Sequence, residues 1–315
     1  MKTNKDRSRR RRFINGELNH IYQRTISGFN IFYDIEDYLV YYTIFAVLIR
    51  CYEITAIGLC LMVDHIHMLI EAPDRNTLSK FMDHCTSVFA REYNFNIGRE
   101  GGLFRKRFGS APKIGLKKIR TAIAYLFNNP VEKGLCKRAE DFRWNFLAYA
   151  VNPLPFSTSL KIRQMSKPLQ KAIKEVRETA AQNRHLKYGQ VRRFFSKIND
   201  TEREILIDFI VTTYNPFDYD RLISHYGSYE SMLVAINSNT GSEYDIKEDY
   251  YSFSDIEYEN MKSVTTKMNI KPIRKITQSS AQEKWELFNL LKKHTNADSR
   301  QISKFLHIDA TSSTS

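Results

Sequence analysis

The chain has 315 residues, with 48 Lys and Arg against 35 Asp and Glu and a formal net charge of +13. An excess of that size points to a nucleic-acid partner. No uninterrupted apolar run is long enough to span a bilayer, and the four cysteines (Cys51, Cys60, Cys85, Cys136) show no paired spacing, which argues against a disulfide scaffold and a cysteine metal site. A cytoplasmic, nucleoid-associated protein without membrane contact is the expectation.

Residues 1–14 carry Arg7 and then Arg9, Arg10, Arg11 and Arg12 before any hydrophobic periodicity begins. They read as a basic flexible arm, able to enter a minor groove or grip a hairpin stem, or as a solvated tail. The arm lacks the apolar core of a secretory signal. Over 15–150 strand and helix patterns alternate. Strands are predicted at Leu18–Thr25, Tyr52–Met62 and His65–Ala72, with a short one near Phe104–Pro112. Helices are predicted at Ile35–Arg50, Leu78–Asn94 and Lys117–Asn128. That order predicts an α+β fold, a ferredoxin-like (RRM-like) antiparallel sheet with helices on one face.

Two places in this region carry candidate chemistry. His65 and His67 flank Ile66 on one predicted strand, so both imidazoles project to the same face and can meet one metal ion. The plainer reading is a hairpin strand with two half-buried polar residues. Tyr125 and Asn129 stand four apart near the end of a predicted helix, close together on one face. A phenol beside a carboxamide offers a nucleophile and a neutral oxygen ligand for a hard cation. The alternative is a core tyrosine followed by a helix-ending asparagine. Pro130 is expected to end that helix, because it pushes the residue before it out of helical geometry.

Charge concentrates around this helix. Between Gly101 and Ala150, Arg105, Lys106, Arg107, Lys113, Lys117, Lys118, Arg120, Lys133, Lys137, Arg138 and Arg143 face only Glu132, Glu140 and Asp141. Such a stretch can track phosphates with release of counterions. Arg105, Lys106, Arg107, Lys117, Lys118 and Arg120, with Arg24 at the end of the first strand and the arginines of the arm, are the candidate DNA contacts. Phe104, Phe108, Phe127 and Trp144 are interspersed, either to stack on unpaired bases or to fill the core.

Residues 151–159 read as a linker and 160–237 as a helical region, with segments over Leu160–Lys197, Glu202–Tyr214 and Phe217–Asn237. The acidic, tyrosine-rich range 238–280 is expected to be mostly loop. Residues 281–308 form a helical pair resembling a partial helix-turn-helix, with Trp285, Phe288 and Leu291 on one apolar face. After Ile308 too little chain remains for a stable recognition helix, so DNA contact and a plain helical hairpin both stay open.

Five segments in order, Asn19–Arg24, Val63–His67, Leu103–Phe108, Tyr125–Val131 and Ala139–Trp144, resemble the HUH single-tyrosine transposases, closest to the REP-associated tyrosine transposases. The resemblance covers roughly residues 10 to 150. Val63 stands where the family usually has proline, and Thr25-Ile26-Ser27 where a glycine-containing turn is usual. The resemblance implies a ferredoxin-like catalytic domain over 15–150. His65, His67 and Asn129 would bind a divalent cation, Mg²⁺ or Mn²⁺. The catalytic residues would be Tyr125, His65 and His67, with Tyr125 attacking single-stranded DNA next to a hairpin to leave a 5′-phosphotyrosyl intermediate. The expected partners are single-stranded and hairpin DNA, with the chain acting as monomer or homodimer. Two other readings are a domesticated, non-cutting hairpin-binding protein and a replication- or conjugation-type HUH nickase.

Overall fold

The computed structural model describes residues 13–158, 164–238 and 254–308, so the arginines at 9–12 and residues 309–315 lie outside the described residues. Four strands, β1 (Asn19–Arg24), β2 (Thr55–Leu61), β3 (His65–Glu71) and β4 (Gly109–Pro112), form one antiparallel sheet in the order β2-β3-β1-β4. With α1 (Ile35–Cys51) after β1 and α2 (Arg75–Ile97) after β3, the expected ferredoxin-like order is present. The pleat divides the central strands. Ile21 of β1 and Ile66, Met68 and Ile70 of β3 join Phe45 of α1 and Phe81 and Phe89 of α2 in the main core. By the same alternation His20, Tyr22, His65, His67 and Leu69 face the other side.

That second face is crossed by α3 (Leu116–Glu132), whose Ala122, Ile123, Leu126 and Phe127 pack with Ile57, Cys60 and Leu69 of the sheet. The approach is close because β2 carries Gly58. A Cβ there would lie 3.3 Å from Phe127 Cζ and 3.4 Å from Leu126 Cδ2. Contrary to the sequence expectation, Pro130 does not end α3, which runs on to Glu132. Proline removes one donor from the ladder. The chain nevertheless keeps its turn, since Lys133 N–H donates to Asn129 O at 3.1 Å and Leu135 N–H to Pro130 O at 2.9 Å.

Every residue of α1 from Asp37 to Ile49 is buried, which its Tyr-, Val- and Ile-rich sequence allows. One side meets the sheet and α2. The other is covered by α5 (Tyr188–Phe195) and α6 (Asp200–Tyr214), against which α4 (Lys167–Ala181) packs in turn within the same core. Tyr42 Oη donates to Val211 O at 2.8 Å, and Leu186 N–H to Thr43 Oγ1 at 3.1 Å. Two short helices, α7 (Tyr219–Ser224) and α8 (Tyr229–Asn237), back α3 through Leu222, Met232 and Ile236.

The range 238–280 departs from expectation. Its described part holds α9 (Ile256–Lys267) and a 3₁₀ turn over Ile273–Gln278. Few aliphatics are needed, because Tyr258, Met261 and Thr265 recur at helical spacing and are buried. With α10 (Ala281–His294) and α11 (Ser299–Leu306) they form a third cluster that reaches Tyr33 and Val63 of the N-terminal half. The buried stripe of α10 is Leu287 and Leu291. Trp285, expected on the apolar face, is 61% exposed and stacks on Phe288 with ring centroids 5.6 Å apart. A fully buried Arg274 ties the turn to the start of α1. Its guanidinium reaches Asp37 Oδ1 at 3.0 Å, Glu36 Oε2 at 2.6 Å and Asp34 Oδ2 at 3.4 Å, and it lies over the Tyr188 ring.

Candidate active site

The site lies between β1, β3 and α3. A tight β2–β3 connection, closed by Met62 N–H donating to His65 O at 2.9 Å, starts β3 at His65. His65 and His67 then point to the α3 side, with ring centroids 4.9 Å apart. In α3, Tyr125 and Asn129 are one turn apart and both face this pair. The Tyr125 ring stands edge-on to His67 at 5.5 Å, and Asn129 Nδ2 lies 3.4 Å from His67 Nε2. His65, His67, Tyr125 and Asn129 are all buried. Four residues read from the sequence as one constellation therefore meet.

The surroundings orient the two imidazoles. His65 Nδ1 is 2.6 Å from Asp64 Oδ1. Burial alone would raise the Asp64 carboxyl, but the hydrogen bond and charge of His65, with Lys304 and Arg24, outweigh it and hold it at about 2. His67 Nδ1 is 3.0 Å from Nε2 of His20, a fully buried residue whose ring also lies 5.7 Å from that of Tyr125. His20 was read from the sequence only as part of a strand segment. The signal that could have found it is pairing parity, since Tyr22 sits opposite His67 and His20 opposite Leu69, which puts His20 on the histidine face.

Asp255 is another residue the sequence did not single out. Its backbone N–H donates to Lys133 O at 2.8 Å, which docks the start of α9 on the end of α3. Burial, with the Asp64 charge added, pushes its carboxyl up to about 7, and its Oδ2 has no hydrogen-bond partner.

A cation would need a mixed ligand set, because among the described residues no group of three or more His, Cys, Asp and Glu is placed to hold a metal. Two imidazoles and an amide fit such a role. Asp64 and His20 engage the Nδ1 atoms of His65 and His67, which leaves Nε2 as the coordinating nitrogen of each. Asn129 Oδ1 is buried without a hydrogen-bond partner. Oxygen and imidazole donors suit Mg²⁺ or Mn²⁺.

The candidate DNA contacts separate into groups. Arg105, Lys106, Arg107, Lys117 and Lys118 are exposed, and Arg24 is half-buried. Arg120 is exposed but engaged, since its Nε–H donates to His225 O at 2.6 Å and its guanidinium lies over the Tyr226 ring. Two members of the basic stretch leave the surface. Lys113 is fully buried, and Arg143 pairs with Glu204 at 2.5 Å and lies over Phe156. Phe104, Phe108, Phe127 and Trp144 are all buried and fill the core, which rules out their stacking on bases in this arrangement. The turn at 25–27 keeps the geometry that a glycine would favour, with Ser27 at φ 55°.

Among the described residues no helix is long and apolar enough to cross a membrane. Residues 11–129 match the family model described as "Transposase IS200 like". No curated protein matches the chain. One solved structure, "Structure of the REP associates tyrosine transposase bound to a REP hairpin", is similar at 16% identity and a TM-score of 0.38, over 48% of this chain and 92% of that one.

Proposed function

We propose, from the match of residues 11–129 to the IS200-like transposase model, that the chain cuts and rejoins single-stranded DNA beside hairpins, with Tyr125 as the nucleophile. The observation that carries this reading is the placement of Tyr125 edge-on to His67, 5.5 Å away, with Asn129 one turn further along α3. A phenol of ordinary pKa near 10 is a weak nucleophile at neutral pH without help. A divalent cation held by His65, His67 and Asn129 would supply that help by neutralising charge on the phosphate oxygens.

The chain's own residues do the rest. Tyr125 Oη attacks the scissile phosphorus and its proton goes to solvent. The bond to the 3′ oxygen breaks and that oxygen takes a proton from solvent, leaving a 3′-hydroxyl on one strand and the 5′-phosphate on Tyr125. No phosphodiester energy is lost, so the same tyrosine can hand the strand to another 3′-hydroxyl without a nucleotide cofactor. Arg105, Lys106 and Arg107 on the segment before β4, and Lys117 and Lys118 at the start of α3, are exposed cations suited to holding the strand through its phosphates. The motif order of the N-terminal half, shared with the REP-associated tyrosine transposases, supports a hairpin as the structure recognised.

The test incubates the full chain with labelled single-stranded oligonucleotides that contain hairpins, with Mn²⁺ or Mg²⁺, and looks for a denaturant-resistant protein–DNA adduct. Wild type forms it only with metal, and Tyr125→Phe and His67→Ala form none. Hairpin binding without adduct, unchanged by either substitution, would overturn the reading in favour of a non-cutting DNA-binding protein.

A further inference from the structure

We propose that His20 is a positioning residue for His67: it accepts the His67 Nδ1–H and thereby fixes the tautomer that presents the His67 Nε2 lone pair beside Asn129 and Tyr125. This rests on the reading above, in which His67 Nε2 holds a cation.

Three observations carry it. His20 Nε2 and His67 Nδ1 are 3.0 Å apart and both side chains are fully buried. Two N–H groups cannot face each other at that distance, so one nitrogen donates and the other accepts. On the far side of the His67 ring, Asn129 turns its amide nitrogen to Nε2 at 3.4 Å. A carboxamide NH₂ only donates, so in this arrangement Nε2 is the acceptor and the single ring proton of neutral His67 sits on Nδ1; a cation on Nε2 would require the same amide to turn over and offer its Oδ1. His20 Nε2 is then the atom that takes it. The third observation is that His65 is held the same way, by a different partner, with Asp64 Oδ1 2.6 Å from its Nδ1.

The two imidazoles are therefore anchored from behind by groups of unequal strength. A carboxylate raises the electron density of the ring it restrains more than a neutral imidazole does. His65 becomes the stronger donor and His67 the weaker, more readily displaced one. The His67 anchor comes from a separate strand, β1, reaching diagonally across the β1–β3 pairing in which His67 faces Tyr22. The tautomer of His67 therefore depends on the register of the sheet.

Two measurements test this on the full chain. The first labels histidine with ¹⁵N and reads the tautomer of His67 in metal-free wild type by long-range ¹H–¹⁵N correlation. The proton is expected on Nδ1; a proton on Nε2 overturns the proposal, and no variant has to fold for that result to count. The second titrates Mn²⁺ calorimetrically into wild type, His20→Phe, His20→Gln and His67→Ala. His20→Phe removes the acceptor and is expected to weaken Mn²⁺ about 10- to 100-fold. His20→Gln, whose amide oxygen can accept, is expected to recover most of that loss, a rescue that a merely space-filling role would not produce. Wild-type affinity in His20→Phe overturns the proposal while leaving the cation site intact. A wild type that binds no Mn²⁺ sinks the cation reading instead, and the tautomer measurement then judges His20 by itself.

Discussion

Replacing Arg274 by methionine keeps most of its volume and removes the buried cation that touches three carboxylates, of which Glu36 keeps a second cationic partner, the exposed Arg192 at 3.8 Å. Arg274 is fully buried, touches Asp34, Glu36 and Asp37, and is also bonded to Asn96 Oδ1 at 2.9 Å. Burial, then repulsion from Asp37, already raises the Asp34 carboxyl to about 7 with the guanidinium present. Breaking a buried cluster from one side leaves its charge uncompensated, which typically costs about 3–5 kcal/mol. That loss is expected at pH 8. A carboxyl raised in the fold binds its proton in the native state before the unfolded chain does, so its contribution is complete below about pH 4 and fades as pH rises through the folded value. Without Arg274 the folded value climbs further, and each pH unit below it returns about 1.4 kcal/mol per extra bound proton. Between pH 8 and pH 6 the gap between wild type and Arg274→Met should therefore narrow by roughly 1 kcal/mol or more. Urea unfolding at pH 6, 7 and 8 measures it, and the double variant Arg274→Met, Asp37→Asn should regain part of the loss at pH 8. A gap that stays constant with pH, or no gap at all, would refute the view that these acids depend on the guanidinium.

Three further outcomes are expected. Burial holds the His307 imidazole down at about 3, although its Nε2–H donates to Asn30 O at 2.6 Å. The unfolded chain takes up this proton below about 6.5 and the fold does not, so stability is complete above that pH and about 2 kcal/mol is lost by pH 5. In urea unfolding His307→Gln should gain on wild type by that amount between pH 7 and pH 5, and an unchanged difference would refute the assignment. Gly58→Ala presses its methyl on Leu126 and Phe127 of α3. It should lower the thermal midpoint slightly, for a cost of about 1 kcal/mol, yet slow adduct formation much more, because the same helix carries Tyr125. Gly109→Ala would set its Cβ into the Tyr22 ring, so the ring must leave its place. A loss of about 3 kcal/mol in chemical unfolding is expected, and a neutral result would mean that Tyr22 moves freely.

The legible parts of this molecule were the local ones. Alternation along a single strand predicted that His65 and His67 share a face, and helical spacing predicted that Tyr125 and Asn129 do, so the four were readable as a group. The order of strands and helices likewise follows from periodicity within each segment. What escaped depends on partners distant in sequence. His20 belongs to the site through the register of β1 on β3, which no local pattern specifies. Lys113 and Arg143 counted as surface charge because their burial depends on neighbours such as Glu204. The buried stripe of α10 was displaced because Trp285 is the more hydrophobic choice on sequence, whereas Leu287 and Leu291 are the residues that α9 and α11 cover. Pro130 misled because a missing donor weakens a helix without ending it when the next turn supplies its own bonds.

The complete burial of α1 bears on how freely the N-terminal sheet domain can be exchanged. A helix with a polar outer side can be lifted out with its sheet and joined to any tail. Here the outer side is Tyr42, Thr43 and their neighbours, dressed by α5 and α6 with α4 behind them. A chain cut after residue 150 would present that apolar side to water and be prone to aggregate. Moving the C-terminal helices onto another sheet domain of this kind would require rewriting its first helix as well. The sheet, α1 and the helices that cover it thus form one packing unit, and a chimera is workable only where the exchanged piece includes both α1 and its cover.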